Sequence, residues 1–269
     1  MTVVAGYADA TVGFIKRDVT GFLSYRLRFV SQILGTFFSV TLFYYISRLI
    51  TVGTFKSPDA YFAFVVVGIA IMSTLVTSLS ALPARVRQEL VAGTFERVVL
   101  SPFGPVAGIT AAVLFPMLLA LLEATLTIGF AAAVFGMPIR ATAVFAIPTA
   151  FLTSLSFVPF ALLASASVIV AKQVQTGIGF AVTGISLISG VFFPVSLLPS
   201  WIRWTENVQP FTPALNLLRH LIAGAPMDGT AAGALLKLAA FIGIFAPLGW
   251  FALRWAIRTS QRRGTIIEY

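Results

Sequence analysis

Two long apolar stretches, Phe29–Ile50 and Tyr61–Leu82, set the first limit on how this chain can fold. Each has about 22 residues, and as α-helix each would reach ~33 Å, enough to cross the hydrocarbon of a bilayer. Further blocks follow at about Val106–Gly136, Ala141–Ala171, Gly177–Phe193 and Ala231–Ile257. A soluble domain covers its surface with about 25% charged residues. This chain of 269 residues has 10% charged and 58% hydrophobic residues, and its polar positions gather between the apolar blocks. The expectation is an all-α, polytopic membrane protein with six transmembrane helices. The third and fourth blocks exceed the length a span requires, so they should tilt, kink or protrude. Pro116, Pro148 and Pro159 are the candidate kinks. Pro194, Pro199, Pro210 and Pro213 break up the region after the fifth block.

The formal net charge of +9 fits a membrane surface better than nucleic acid, because of where the cations fall. With the N-terminus in the cytoplasm, the inner segments hold Lys16, Arg17, Arg26, Arg28, Arg85, Arg87, Arg97, Lys172, Arg254, Arg258, Arg262 and Arg263, twelve of the 18 Lys and Arg residues. The outer segments hold the other six: Arg48, Lys56, Arg140, Arg203, Arg219 and Lys237. Inner loops of membrane proteins carry the cationic excess, so both termini are expected inside. Residues 1–28 do not read as a signal peptide, since Lys16, Arg17, Asp18, Arg26 and Arg28 interrupt any apolar core. Within 11–28, Val12, Ile15, Val19, Phe22 and Leu23 fall on one helical face, opposite Arg17, Thr20, Ser24 and Arg28. That pattern suits a helix lying on the membrane surface, or one packed on its own protein.

The side chains for covalent chemistry are missing. The chain has no cysteine and one histidine, His220, so thiolate and paired-histidine metal sites are excluded. It has no G-x-x-x-x-G-K-[ST] phosphate loop, no H-E-x-x-H and no G-x-S-x-G. Glu123 is the one carboxylate deep within an expected span, which argues against a paired-carboxylate protease or a multi-acid proton relay. It should therefore face protein or water, either as a pathway contact or hydrogen-bonded to another span near Thr125 and Thr127.

Charge is concentrated instead between the second and third blocks. In the segment 83–105, Pro83 can open a helix, Gly93 can end one, Thr94 can cap a second with Glu96 in its first turn, and Pro102 can end that. The result would be a compact helix–turn–helix knob outside the membrane.

Residues Gln88-Glu-Leu-Val-Ala-Gly-Thr-Phe-Glu-Arg-Val-Val-Leu-Ser-Pro102 resemble the E-x-x-x-G-T-x-E-x-x-x-x-S/T-P loop of type 2 ABC exporter permeases, the drug-resistance and polysaccharide-export group. A second stretch, Ser189-Gly-Val-Phe-Phe-Pro-Val-Ser-Leu-Leu-Pro-Ser-Trp201 followed by Gln209-Pro-Phe-Thr-Pro213 and Arg219, is similar to the family's S-G-x-F-F-P-x-x-x-L-P-x-W … N-P-x-T-x … R signature. Gln209 stands where the family often has Asn.

The resemblance implies a permease subunit in the cytoplasmic (inner) membrane, with no ATPase site of its own. Its partners would be two copies of an ATP-binding cassette subunit carrying ATP and Mg, a second permease copy or homologue, and membrane lipids. Residues 1–28 would be the interface helix, 29–257 the transmembrane domain, 83–105 the coupling loop, 194–230 an outer re-entrant region and 258–269 a short basic tail. Arg87, Glu89, Gly93, Thr94, Glu96 and Arg97 would couple to the ATPase, although Arg85 and Arg87 equally suit lipid headgroups. Phe192, Phe193 and Pro194 would form an outer gate, with Trp201 and Trp204 as interfacial anchors. Arg219 and His220 would lie on the outer side, and a lone histidine such as His220 is ordinary there. The cargo would be an amphipathic drug, a lipid or a lipid-linked polysaccharide. A secondary transporter or channel working without an ATPase is the alternative, but it should show inverted repeats or several buried ionisable residues.

Overall fold

The computed structural model describes residues 19–20, 22, 26–49, 55, 57–95, 113–171, 175–227 and 229–263. Among the described residues there are only helices, turns and loops. The principal helices are α1 (Arg26–Leu49), α2 (Pro58–Val91), α3 (Leu114–Phe135), α4 (Ala146–Ala171, led in by a 3-10 turn over Ala141–Phe145) and α5 (Gln175–Ile188). They continue as the short α6 (Ser200–Arg203) and α7 (Thr205–Val208), then α8 (Phe211–Ala223) and α9 (Ala231–Arg263).

Five helical segments are long and apolar enough to cross a membrane: Phe29–Leu49, Pro58–Val91, Leu114–Phe135, Ala141–Ala171 and Ala231–Arg263. The expected fifth span behaves differently. Its helix stops at Ile188 after 14 residues, about 21 Å at the α-helical rise and short of a bilayer's ~30 Å hydrocarbon. Two residues later Gly190 takes φ +77°, a left-handed conformation that side chains with a Cβ resist, and the chain leaves the helix instead of continuing to Phe193.

Helix α2 is the centre of the bundle, with 67% of its apolar window buried against 6% for α1 and for α9. It begins on a clear signal. Ser57 caps it by accepting from the Ala60 amide at 3.2 Å, and Pro58 fills the first position, where no amide proton is required. At its other end the sequence expectation needs correcting. Pro83 lies inside α2 instead of opening a new helix, and α2 runs on to Val91. Its 34 residues span about 51 Å, so it projects well beyond a bilayer's hydrocarbon. Pro116 and Pro148 fall in the first turns of α3 and α4, where proline costs little, and Pro159 lies within α4.

Two buried clusters hold the ends of the bundle. One joins Val40, Phe62, Val66, Ile71, Ala131, Met137, Phe157, Val191, Phe211 and Leu215. We call that the hairpin end, since it also holds the α1–α2 connection. The other joins Leu82, Val86, Leu90, Phe95, Val113, Met117, Leu162, Ile169, Leu253 and Ile257, and marks the elbow end. Small residues let helices approach there: a Cβ on Gly249 of α9 would come within 2.7 Å of the Pro159 carbonyl oxygen of α4. Helix α9 extends to Arg263 instead of ending at Ile257, so the described part of the basic tail is helical.

Candidate functional site

The sequence singled out three groups of residues, and the structure sets them at different levels of the bundle. At the elbow end, α2 leaves the core and stops in a turn. The amides of Ala92 and Gly93 donate to the carbonyls of Gln88 and Leu90 at 2.9 and 3.1 Å, and Gly93 adopts φ +67°. The left-handed glycine closes the helix C-terminus and reverses the chain. Thr94 then folds back on the helix it has just left. Its amide donates to the Glu89 carbonyl at 3.0 Å, and its hydroxyl donates to the Glu89 carboxylate. Arg85 Nε lies 3.3 Å from the other carboxylate oxygen of Glu89. Glu89 is thus held from both sides, while Arg87 is exposed. Phe95, 1% exposed, sits in the elbow-end cluster. Glu96, Arg97 and the expected second helix of the knob lie outside the described residues.

Midway along α3, Glu123 is 2% exposed. Its carboxylate accepts from Gln32 Nε2 at 2.6 Å and from Thr36 Oγ1 at 3.0 Å, both on α1. Thr125 and Thr127, the partners suggested by proximity in sequence, instead donate to carbonyls of their own helix, those of Leu121 and Glu123, each at 2.8 Å. Gln32 and Thr36 could have been read as one polar stripe at i, i+4, but pairing that stripe with Glu123 requires the tertiary fold. The contact ties a helix with almost no buried surface to the rest of the bundle. Glu123→Leu is expected to cost about 1–2 kcal/mol, the range of interhelical hydrogen bonds in membranes. Glu123→Gln, which keeps one acceptor, should lose less than half of that. Reversible unfolding in mixed micelles measures both variants.

At the hairpin end, the turn after α5 is pinned from several directions. Phe192 stacks on Phe43 of α1, ring centres 5.6 Å apart, and Phe193 and Pro194 are partly buried. A Cβ on Gly190 would sit 2.9 Å from Val195 Cγ2, so this turn tolerates little besides glycine. Ser189 Oγ donates to Gln209 Oε1 at 2.9 Å, and Gln209 Nε2 donates to Thr212 Oγ1 at 2.8 Å.

The main restraint is Arg219, the arginine that closes the second family-like stretch of the sequence. It is 2% exposed. Nε donates to the Phe64 carbonyl at 3.1 Å, and Nη2 donates to the carbonyls of Gly190 and Val191, each at 2.9 Å. The guanidinium carbon lies 3.3 Å from the centre of the Phe64 ring. The break after α5 frees backbone carbonyls, and one planar five-donor group satisfies two of them while gripping α2. Its closeness leaves no spare room: a Cβ on Gly68 would overlap the Val191 carbonyl oxygen and approach Arg219 Nη2 to 3.0 Å. A signal was available in the sequence. Phe211, Leu215, Leu218 and Ile222 form the buried stripe of α8, and Arg219 belongs to it at i+4 from Leu215.

Helix length, apolar surface and the interhelix contacts define a multi-pass helical membrane protein. The family model for the ABC-2 type transporter matches residues 14–223, most of the chain. The chain therefore belongs to the ABC-2 type transporter family, as a membrane permease component of an ABC transporter. Comparison with curated proteins gave no match.

Proposed function

We propose that this chain is the permease subunit of an exporter driven by a separate ATP-binding cassette protein. Two ATPase subunits would bind ATP and Mg beneath a pair of permeases, in the cytoplasmic membrane, with both permease termini in the cytosol. The observation that carries this reading is the elbow. A helix of the bundle core runs without interruption to a charged turn outside the apolar region, and a buried phenylalanine ties that turn back to the core. A push on such a turn travels along α2 instead of being absorbed by a loop.

Arg87, Glu89, Gly93 and Thr94, with Glu96 and Arg97 beyond them, would meet the ATPase. Phe192, Phe193 and Pro194 would close the opposite, outer end, with the short helices of 194–230 re-entering the membrane there. Irregular backbone is tolerated at membrane depth when buried in protein, and the carbonyl contacts of Arg219 supply that burial. The interhelix bond of Glu123 supports a structural role over direct cargo contact. The cargo would be an amphipathic drug, a lipid or a lipid-linked polysaccharide, which suits a bundle whose described interior is largely apolar.

An ATP-binding cassette protein encoded beside this chain is expected to co-purify with it, and Glu96→Arg should abolish that co-purification while the chain still inserts. Retained binding with Glu96→Arg would remove the coupling role from that residue. Cargo movement by the purified chain alone would remove the reading altogether.

A further inference from the structure

A cavity of about 270 Å³ lies within this single chain, apart from the elbow and the Phe192 turn, where α2, α4 and α5 meet the start of α8. Leu79, Phe157, Ala164, Ile178 and Ile185 supply apolar walls, and Gln209 is the one amide side chain in the lining among the described residues. An apolar cavity of roughly 150 Å³ already admits a benzene-sized ligand, so this one has room for a two-ring molecule or a length of alkyl chain. Left empty, its lining would forfeit dispersion contacts over the whole wall.

The amide of Gln209 indicates what else the occupant carries. Its neighbours set its orientation: Oε1 lies 2.9 Å from Ser189 Oγ, whose hydroxyl is shared with the Ile185 carbonyl, Nε2 donates to Thr212 Oγ1, and Thr212 Oγ1 donates to the Ser189 carbonyl at 3.4 Å. That uses one of the two protons on Nε2. Among the described residues no acceptor engages the other, and because Gln209 is only partly buried, an acceptor on a molecule entering the cavity can reach it. Among the described residues the cavity lining carries no charged side chain to hold an ion.

We infer that this cavity binds an uncharged, largely apolar molecule bearing one hydrogen-bond acceptor, such as a carbonyl or ester oxygen, which Gln209 engages. Two sources offer that chemistry: a lipid of the surrounding bilayer and a small amphiphile partitioning into it. The inference does not depend on what powers the protein.

Benzophenone has the required form, two rings and one carbonyl, and it crosslinks on irradiation. The full chain in phosphatidylcholine nanodiscs should label saturably with benzophenone at the cavity residues, above the unsaturable background on the lipid-facing Leu236, Ile244 and Phe251 of α9. Gln209→Leu, which removes the donor, should weaken the saturable labelling about tenfold, the worth of one hydrogen bond. Ala164→Trp fills the cavity from the opposite wall and should abolish it, leaving the α9 background unchanged. Phosphatidylcholine carrying a diazirine on its acyl chain separates the sources: labelling of the same residues, competed by benzophenone, assigns the site to bilayer lipid. Labelling by benzophenone alone assigns it to small amphiphiles. Absence of saturable cavity labelling by either probe, or labelling indifferent to both substitutions, overturns the inference.

Discussion

Arg219→Leu is expected to leave the chain unable to hold its hairpin end, with a loss of at least about 2 kcal/mol. The carbonyl oxygens of Gly190 and Val191, freed by the break after α5, depend on this one side chain, which also donates to the Phe64 carbonyl of α2. Each buried acceptor left without a donor costs about 1–3 kcal/mol, so for these two even the lower bound sums to ~2 kcal/mol. The ring contact with Phe64 adds to the loss. Arg219→Lys should recover little, because an ammonium is a point donor on a flexible stem and cannot span three carbonyls in one plane. Gly68→Val attacks the same junction from α2, by pushing on the Val191 carbonyl and the guanidinium. The double variant should therefore cost less than the sum of the two singles, since the second change strikes a contact already lost. Thermal unfolding in detergent, followed by size-exclusion chromatography, reads all four proteins. A fully stable Arg219→Leu chain would mean that the turn after α5 is held by something other than these carbonyl contacts.

How far the sequence foretold this arrangement depends on which physical quantity each feature obeys. Span positions follow hydropathy, which is local, and the starts of α2 and α4 and the positive-φ glycine at the elbow were readable for that reason. The end of α2 was not. Hydropathy falls at Leu82 and Pro83 looks like a start signal, but a helix already propagating loses only one backbone hydrogen bond at a proline, and the apolar residues Val86 and Leu90 keep it seated on the elbow-end cluster. The short α5 was misread for the converse reason. Val191, Phe192 and Phe193 are apolar enough to extend a span, yet Gly190 turns the chain and Val191 is buried in protein at the hairpin end. Polar partners were the least legible. Glu123 looked isolated until α1 brought Gln32 and Thr36 to it, and Arg219 was only the last residue of a signature, without a partner, until the broken helix presented it with carbonyls. In both cases the partner lies at a sequence separation that no window can bridge.

Phe95→Ala is expected to disconnect the elbow while leaving the bundle folded. The ring is 1% exposed and shares its cluster with Leu82, Val86 and Leu90 of α2, Leu162 and Ile169 of α4, and Leu253 and Ile257 of α9. Truncating a buried phenylalanine costs about 3–5 kcal/mol through lost burial and the cavity left behind. The cost should be local. Phe95 has no part in the hairpin-end cluster, and polar contacts such as those of Thr94 with Glu89 would remain at the turn without its apolar anchor. Hydrogen exchange should show amides 88–95 opening at least tenfold faster, with those of 117–131 in α3 unchanged. Because the chain has no cysteine, a spin label on a single Val91→Cys variant reports the same loosening without background labelling. If the elbow meets an ATPase as proposed, this variant should still bind that partner, because it changes no charged residue, but it should lose most of the nucleotide-driven response of the bundle. Phe95→Leu, which refills much of the volume, should restore it. Unchanged exchange in 88–95 would show that the elbow is held without Phe95. Faster exchange with an undiminished response to nucleotide would show that force reaches the bundle by a route other than this turn.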